Sequence, residues 1–124
     1  MKRVLVVDNE PLLIGLLVGA LEFVGFELVV CESGEEAVFH IGEVDAIITD
    51  FLMGLGMNGA GLAREAKHRN PGIPVLIITG TVDQVPRDHL ADMIIEKPDI
   101  LLPVFRWLSK IFPEEEIMFP WKPK

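Results

Sequence analysis

The residues of this chain best suited to chemistry are acids, a hydroxyl and a lysine that each follow a short apolar run. Asp8, Asn9 and Glu10 come after residues 4–7 (VLVV), and Asp50 comes after residues 46–49 (AIIT). Thr79 and Gly80 come after residues 75–78 (VLII), and Lys97 comes soon after residues 93–95 (MII). Two carboxylates brought together repel, and a hard cation such as Mg2+ relieves the repulsion. A carboxylate is also a nucleophile able to take a phosphoryl group. That group is anionic, so its transfer calls for a cation, a lysine and a hydroxyl donor nearby. Asp8, Asp50, Thr79 and Lys97 supply those roles. Taken singly, each has a plainer explanation. Asp8 or Asp50 reads as a helix cap or solvated turn residue, Thr79 as a turn hydroxyl, Lys97 as a surface charge. The functional reading rests on their joint occurrence at the ends of four strands.

Those ends meet only if the apolar runs are strands of one sheet. Residues 4–7 read as a first strand and 11–24 as a helix, with Pro11 in its first turn and Gly25 stopping it. Residues 26–31 read as a second strand. Ser33-Gly34-Glu35-Glu36 has the form of a capping box, so a short helix to about Ile41 is expected. A third strand, 46–49, ends at Asp50; a glycine-rich loop and a helix from about Ala60 to His68 follow. Asn70-Pro71-Gly72-Ile73-Pro74 is a turn, 75–78 a fourth strand, and 81–92 has room for one short helix. A fifth strand, 93–95, and a last helix over about 102–112, with Pro103 in its first turn, complete the chain. Strands alternating with helices imply a parallel sheet covered on both faces. The unbroken apolar runs 4–7, 46–48 and 75–78 suit strands buried on both sides. Ligands of such sheets bind at the carboxyl ends of the strands, near the topological switch point.

Bulk properties narrow the class. The chain has 124 residues, half of them hydrophobic, enough for one domain with a full core. A net charge of −8 excludes a sequence-independent nucleic-acid binder and weighs against an anionic membrane as partner. The single cysteine, Cys31, has no partner for an internal disulfide and reads as a buried strand residue, in keeping with a reducing cytoplasm. The longest apolar region, 11–26, is interrupted by Glu22 and three glycines and is too short to span a bilayer comfortably. His40, His68 and His89 share no metal-binding spacing and receive no role. A cytoplasmic location is expected.

Several strings together resemble the response-regulator receiver family over about residues 2–112: Val6-Val7-Asp8-Asn9-Glu10-Pro11, Ile48-Thr49-Asp50-Phe51-Leu52-Met53, Met57-Asn58-Gly59, Ile78-Thr79-Gly80 and Glu96-Lys97-Pro98. The resemblance implies a doubly wound, five-stranded, flavodoxin-like (βα)5 fold with strand order 2-1-3-4-5. It implies phosphorylation of Asp50 by a histidine kinase or phosphotransfer protein. It places Mg2+ on Asp8, Asn9, Asp50 and the main-chain carbonyl of Leu52. It makes Thr79 the switch hydroxyl, Lys97 the partner of the phosphoryl group, and the Lys97–Pro98 bond cis. The expected organisation is a receiver over 1–112 and a tail over 113–124 with no output domain. Such a domain is no conventional enzyme beyond Mg2+-dependent self-phosphorylation and self-dephosphorylation.

Four departures from the family pattern matter. Asn9 stands where a second acid is usual, which removes one negative charge and predicts weaker Mg2+ binding; Glu10 is placed to compensate only if it can turn toward the site. Gly54 replaces a usual proline, and Gly59 comes one residue late, as in a group of single-domain receivers of alphaproteobacteria. Ile94 takes the place of the usual aromatic switch residue, and the chain has no tyrosine. Segment 81–92 is short and holds Pro86, which limits any helix there. These departures keep a second reading open, a pseudo-receiver that binds partners without phosphorylation. A third reading rests on Gly54-Leu55-Gly56-Met57-Asn58-Gly59, the spelling of a dinucleotide-binding turn. It is discounted because Asp50 and three more residues separate strand from first glycine, and no acid stands near Thr79 to hold a ribose.

The first helix is apolar on more than one side. Leu13, Leu17, Ala20, Leu21 and Val24 fall on one face and are expected in the core, with Ile14 and Val18 toward the outside. A stripe this wide fits contact with another protein, and in receivers this helix is a usual docking surface for the kinase's histidine domain. In the tail, Ile117, Met118, Phe119 and Trp121 leave open docking on a partner, a homodimer, or packing on the same domain.

Overall fold

A computed structural model describes residues 2–115. Strands β1 (Arg3–Val7), β2 (Glu27–Cys31), β3 (Ala46–Asp50), β4 (Val75–Thr79) and β5 (Met93–Glu96) form one parallel sheet in the order β2-β1-β3-β4-β5. Helices α1 (Pro11–Phe23), α2 (Gly34–Val38), α3 (Gly59–Arg69) and α4 (Leu101–Ile111) connect and cover the strands. This is the expected doubly wound, flavodoxin-like α/β architecture.

Period-two alternation splits each central strand between two cores. Val4 and Val6 of β1 and Ile48 of β3 meet Leu17 and Leu21 of α1 and Phe105 and Leu108 of α4. Leu5, Val7 and Ile47 face the other way, onto Ala37 of α2 and Leu62, Ala63 and Ala66 of α3. All five residues of β3 and of β4 are buried, as strands covered on both faces require. A slip of one residue in any of these strands would exchange the two cores.

Local signals set most helix boundaries. Ser33 Oγ accepts the Glu36 N–H at 3.1 Å, the predicted cap of α2. The helix ends at Val38, short of Ile41, because His40 N–H bonds to Ala37 O and the chain tightens into a 3-10 turn over Ile41–Glu43. Helix α3 starts at Gly59, one residue earlier than expected, because Asn58 Oδ1 accepts the Gly61 N–H at 2.9 Å. Between β4 and β5 the described chain holds one 3-10 turn, Val82–Gln84, and no α-helix.

One expectation for α1 is corrected. Leu17 and Leu21 are buried and Leu13, Ala20 and Val24 pack against them, as read. Ile14 and Val18, however, are half-buried, and the outward apolar residues are Leu12 (84% exposed), Leu16 (50%) and Phe23 (73%). A helix apolar nearly all round carries little periodic signal to fix its rotation. No helix among the described residues is long and apolar enough to cross a membrane. Residues 117–121 of the tail, with the docking and dimer readings placed there, lie outside the described residues.

Candidate functional site

Main-chain bonds carry the sheet one step past its strands and so fix the candidate residues. Asp8 follows β1, and its N–H donates to Cys31 O at 3.1 Å. Asp50 is the last residue of β3, opposite Ile78, and the next N–H, of Phe51, donates to Ile78 O at 2.9 Å. Lys97 follows β5, and its N–H donates to Thr79 O at 2.9 Å. The Lys97–Pro98 bond is cis, as expected.

These placements gather the charged groups. Lys97 Nζ lies 3.4 Å from Asp50 Oδ1 and 3.9 Å from Glu10 Oε2. Asp8 Oδ1 accepts the Glu10 N–H at 2.8 Å, closing the turn that leads into α1. Asp50 Oδ1 accepts the Phe51 N–H at 2.9 Å. Asp8, Asp50 and Thr79 are buried, Lys97 is partly buried, and Asn9, Glu10 and Leu52 are exposed. Asn9 lies in the turn after Asp8, its Nδ2 3.8 Å from the position a Cβ at Gly54 would take. Thr79 Oγ1 accepts the Thr81 N–H at 2.9 Å and lies 3.1 Å from Thr81 Oγ1.

Electrostatics at the two buried acids favour a counter-cation. Burial pushes Asp50 above the ordinary carboxylate range, against the opposing pull of Lys97. Burial also raises Asp8, partly offset by the Glu10 N–H; the charges of Asp50 and Glu10 raise it further, and Lys97 lowers it. One lysine does not neutralise this set. Among the described residues no three His, Cys, Asp or Glu side chains form a metal cage. The donor set fits Mg2+, which takes one or two carboxylates and completes its shell with neutral oxygens and water. Asp8 and Asp50 are the candidate carboxylates; Asn9 and the Leu52 carbonyl remain the neutral ligands expected from the resemblance.

Three neighbours of the site were missed in the sequence. Glu35, near the start of α2, accepts the Met57 N–H at 2.7 Å and ties down the loop after β3; this bond holds its pKa below the ordinary range. The contact spans 22 residues and leaves no local mark. Asn58 announces itself as a helix cap just before Gly59, a signal legible in the sequence. Thr81 is a second hydroxyl two residues past the first. Cys31, by contrast, is buried with its thiol pushed up to about 12 by burial, which leaves no reactive thiolate.

A sequence model described as the response regulator receiver domain matches residues 4–98, well over half of the chain. The chain belongs to the response regulator receiver family. As a receiver it is similar to the DNA-binding response regulator MtrA of Mycolicibacterium smegmatis, 31% identical over 86 residues, covering 68% of this chain and 37% of MtrA. It is also similar to the transcriptional regulatory protein GlrR of Escherichia coli, 38% identical over 79 residues, covering 62% and 18% of the two chains. The chain thus spans well under half the length of these curated relatives. Among solved structures, the response regulator TrrA of Thermotoga maritima in complex with Mg2+-BeF superposes with a TM-score of 0.81 at 30% identity, covering 90% of this chain and 99% of TrrA. TrrA in complex with the histidine kinase ThkA gives 0.78 at 30% identity, covering 90% and 98%. The receiver reading assigns this chain to two-component signalling; receivers are generally signalling modules rather than enzymes.

Proposed function

We propose that this receiver takes a phosphoryl group on Asp50 from a phosphohistidine of a histidine kinase or phosphotransfer protein. An Asp50 carboxylate oxygen attacks phosphorus, the P–N bond breaks, and the imidazole leaves with its electron pair and takes up a proton. The product is an acyl phosphate. Lys97 pairs with the phosphoryl oxygens, and Thr79 turns its hydroxyl from Thr81 to hydrogen-bond them. Mg2+, held by Asp8, Asn9, Asp50 and the Leu52 carbonyl, supplies charge neutralisation when bound. The observation that carries this reading is the buried Asp50 carboxylate with Lys97 Nζ at 3.4 Å. The kinase complex of TrrA supports the choice of partner. Phosphorylation then biases a surface that a further protein reads. The receiver unit is 1–112, it acts in the cytoplasm, and its catalysis is limited to its own phosphorylation and dephosphorylation.

Intact mass after acetyl phosphate treatment, with and without Mg2+, tests the reading in wild type and Asp50→Asn. One phosphoryl mass gained only with Mg2+, and lost in the variant, is the expected result. The rival is the phosphorylation-independent pseudo-receiver, favoured by the uncharged Asn9 and by Ile94 in place of an aromatic. No gain from acetyl phosphate and none from a phosphorylated cognate kinase would establish that rival.

A further inference from the structure

Asn9 leaves the site one charge short of the family pattern, and the structure shows what stands beside that gap. Glu10 occupies the N-cap position of α1 in an extended conformation, yet its side chain makes no capping hydrogen bond. The carboxylate faces Lys97 instead, with Oε2 at 3.9 Å from Nζ. Lys97 is the same cation that faces Asp50, so its charge is divided between two carboxylates. Glu10 is also tied to the site through its own N–H, donated to Asp8 Oδ1 at 2.8 Å.

We infer that Glu10 is the third acid of the site, a positioning residue that shares Lys97 with Asp50 and sets the affinity for a divalent cation in place of an acid at position 9. The inference rests on the reading of Asp8 and Asp50 as the cation site. Glu10 does not ligate: the three acids form no cage. It acts in two ways of the same sign. Its charge adds to the field at the carboxylate pair, and its hold on Lys97 leaves Asp50 less neutralised and a better ligand.

Mn2+ binding by the full chain, read from the EPR signal of the free ion at low ionic strength, tests this without any phosphorylation assay. Glu10→Gln is expected to weaken Mn2+ about three- to tenfold, the scale of one charge acting on a divalent ion through a solvent-rich gap. Added salt should shrink that difference, because the Glu10 side chain is more than half exposed (57%). Asn9→Asp should tighten binding, and the double variant should fall between the two. Equal affinity of Glu10→Gln and wild type, with Asn9→Asp tighter, would overturn the inference and leave the site reading intact. Binding unaffected by Asp50→Asn would overturn the site reading and this inference with it.

Discussion

Asp8, Asp50 and Thr79 are carried by strands inside the sheet, while Lys97 follows its edge strand, on a margin of a different kind. β1 is buried from Val4 to Val7 and β3 throughout. At the margin, β5 has the burial pattern exposed, half-buried, buried, exposed, and the link from β4 holds a single 3-10 turn. His89 in that link keeps Nδ1 buried with no hydrogen-bond partner among the described residues, a local cost the centre does not carry. Chemistry on a fixed nucleophile needs atoms that stay in place. A surface that changes with phosphorylation needs a segment cheap to rearrange, drawn from the least stable part of a fold. The difference between centre and margin therefore separates reaction from readout.

The largest effect that would sharpen this contrast is at two glycines. A Cβ at Gly59 would lie 2.5 Å from the Asp50 carbonyl oxygen and 3.1 Å from Phe51 Cα, both backbone atoms. Gly59→Ala should cost about 1–3 kcal/mol in urea unfolding, the range for overpacking, and slow phosphorylation. A Cβ at Gly80, on the margin, would meet nothing within 4 Å. Gly80→Ala should stay within about 0.5 kcal/mol of wild type. Equal costs at both positions would erase the distinction.

The second effect is electrostatic and confined to the centre. Asp8 and Asp50 are both raised by burial. An acid raised in the folded state binds protons more tightly there than in the unfolded chain, so stability is gained as pH falls through the raised pKa toward the unfolded value, and above the raised pKa that gain is absent. Without a divalent cation, Asp50→Asn should therefore melt a few degrees above wild type at neutral pH, and the gap should close on acidification. Mg2+ should raise the melting temperature of wild type more than that of the variant. A gap that widens on acidification would reverse the assigned sign.

The third effect concerns the loop over the centre. Glu35→Ala removes the acceptor of the Met57 N–H and should raise hydrogen exchange at that amide several-fold, with little change in segment 81–92. Because the Met57 bond holds the Glu35 pKa low, protection at Met57 should persist to pH values below the ordinary carboxylate range and be lost as pH falls through the lowered value. Uniform exchange across the loop would mean that Glu35 does not anchor it.

Legibility in the sequence follows the same division. Asp8 and Asp50 could be placed because each directly follows an apolar run, and a central parallel strand has little else to be. Ser33 could be placed because a cap acts within four residues. Glu35 could not, because its partner is remote in sequence. Ile14 and Val18 stood in for the outward set Leu12, Leu16 and Phe23 because α1 offers apolar residues on nearly every side. Segment 81–92 was left almost open for a physical reason: Pro86 and the scattered polar residues specify neither a helix nor a strand, and the chain makes only a 3-10 turn there.

The smallest effect bears on how the margin is coupled to the centre. Thr79 Oγ1 accepts the Thr81 N–H and shares a hydrogen bond with Thr81 Oγ1, so the Thr79 hydroxyl is tied to the residue that precedes the 3-10 turn. With Ile94 in place of an aromatic, the expectation to test is that movement of Thr79 reaches residues 82–84 through this hydroxyl pair. Thr81→Val removes one of the two bonds and keeps the N–H donor, so it should cost about 0.5–1.5 kcal/mol or less. Phosphorylation of Asp50 should proceed at the wild-type rate, since the side-chain hydrogen bond lost runs to Thr79 and not to either acid. The amide shifts of residues 82–84 on addition of Mg2+ and beryllofluoride should be smaller than in wild type, while those next to Asp50 should match it. Full-sized shifts in Thr81→Val would show that the margin responds through the sheet itself, and the separation of readout from reaction would fail at the one contact that joins them.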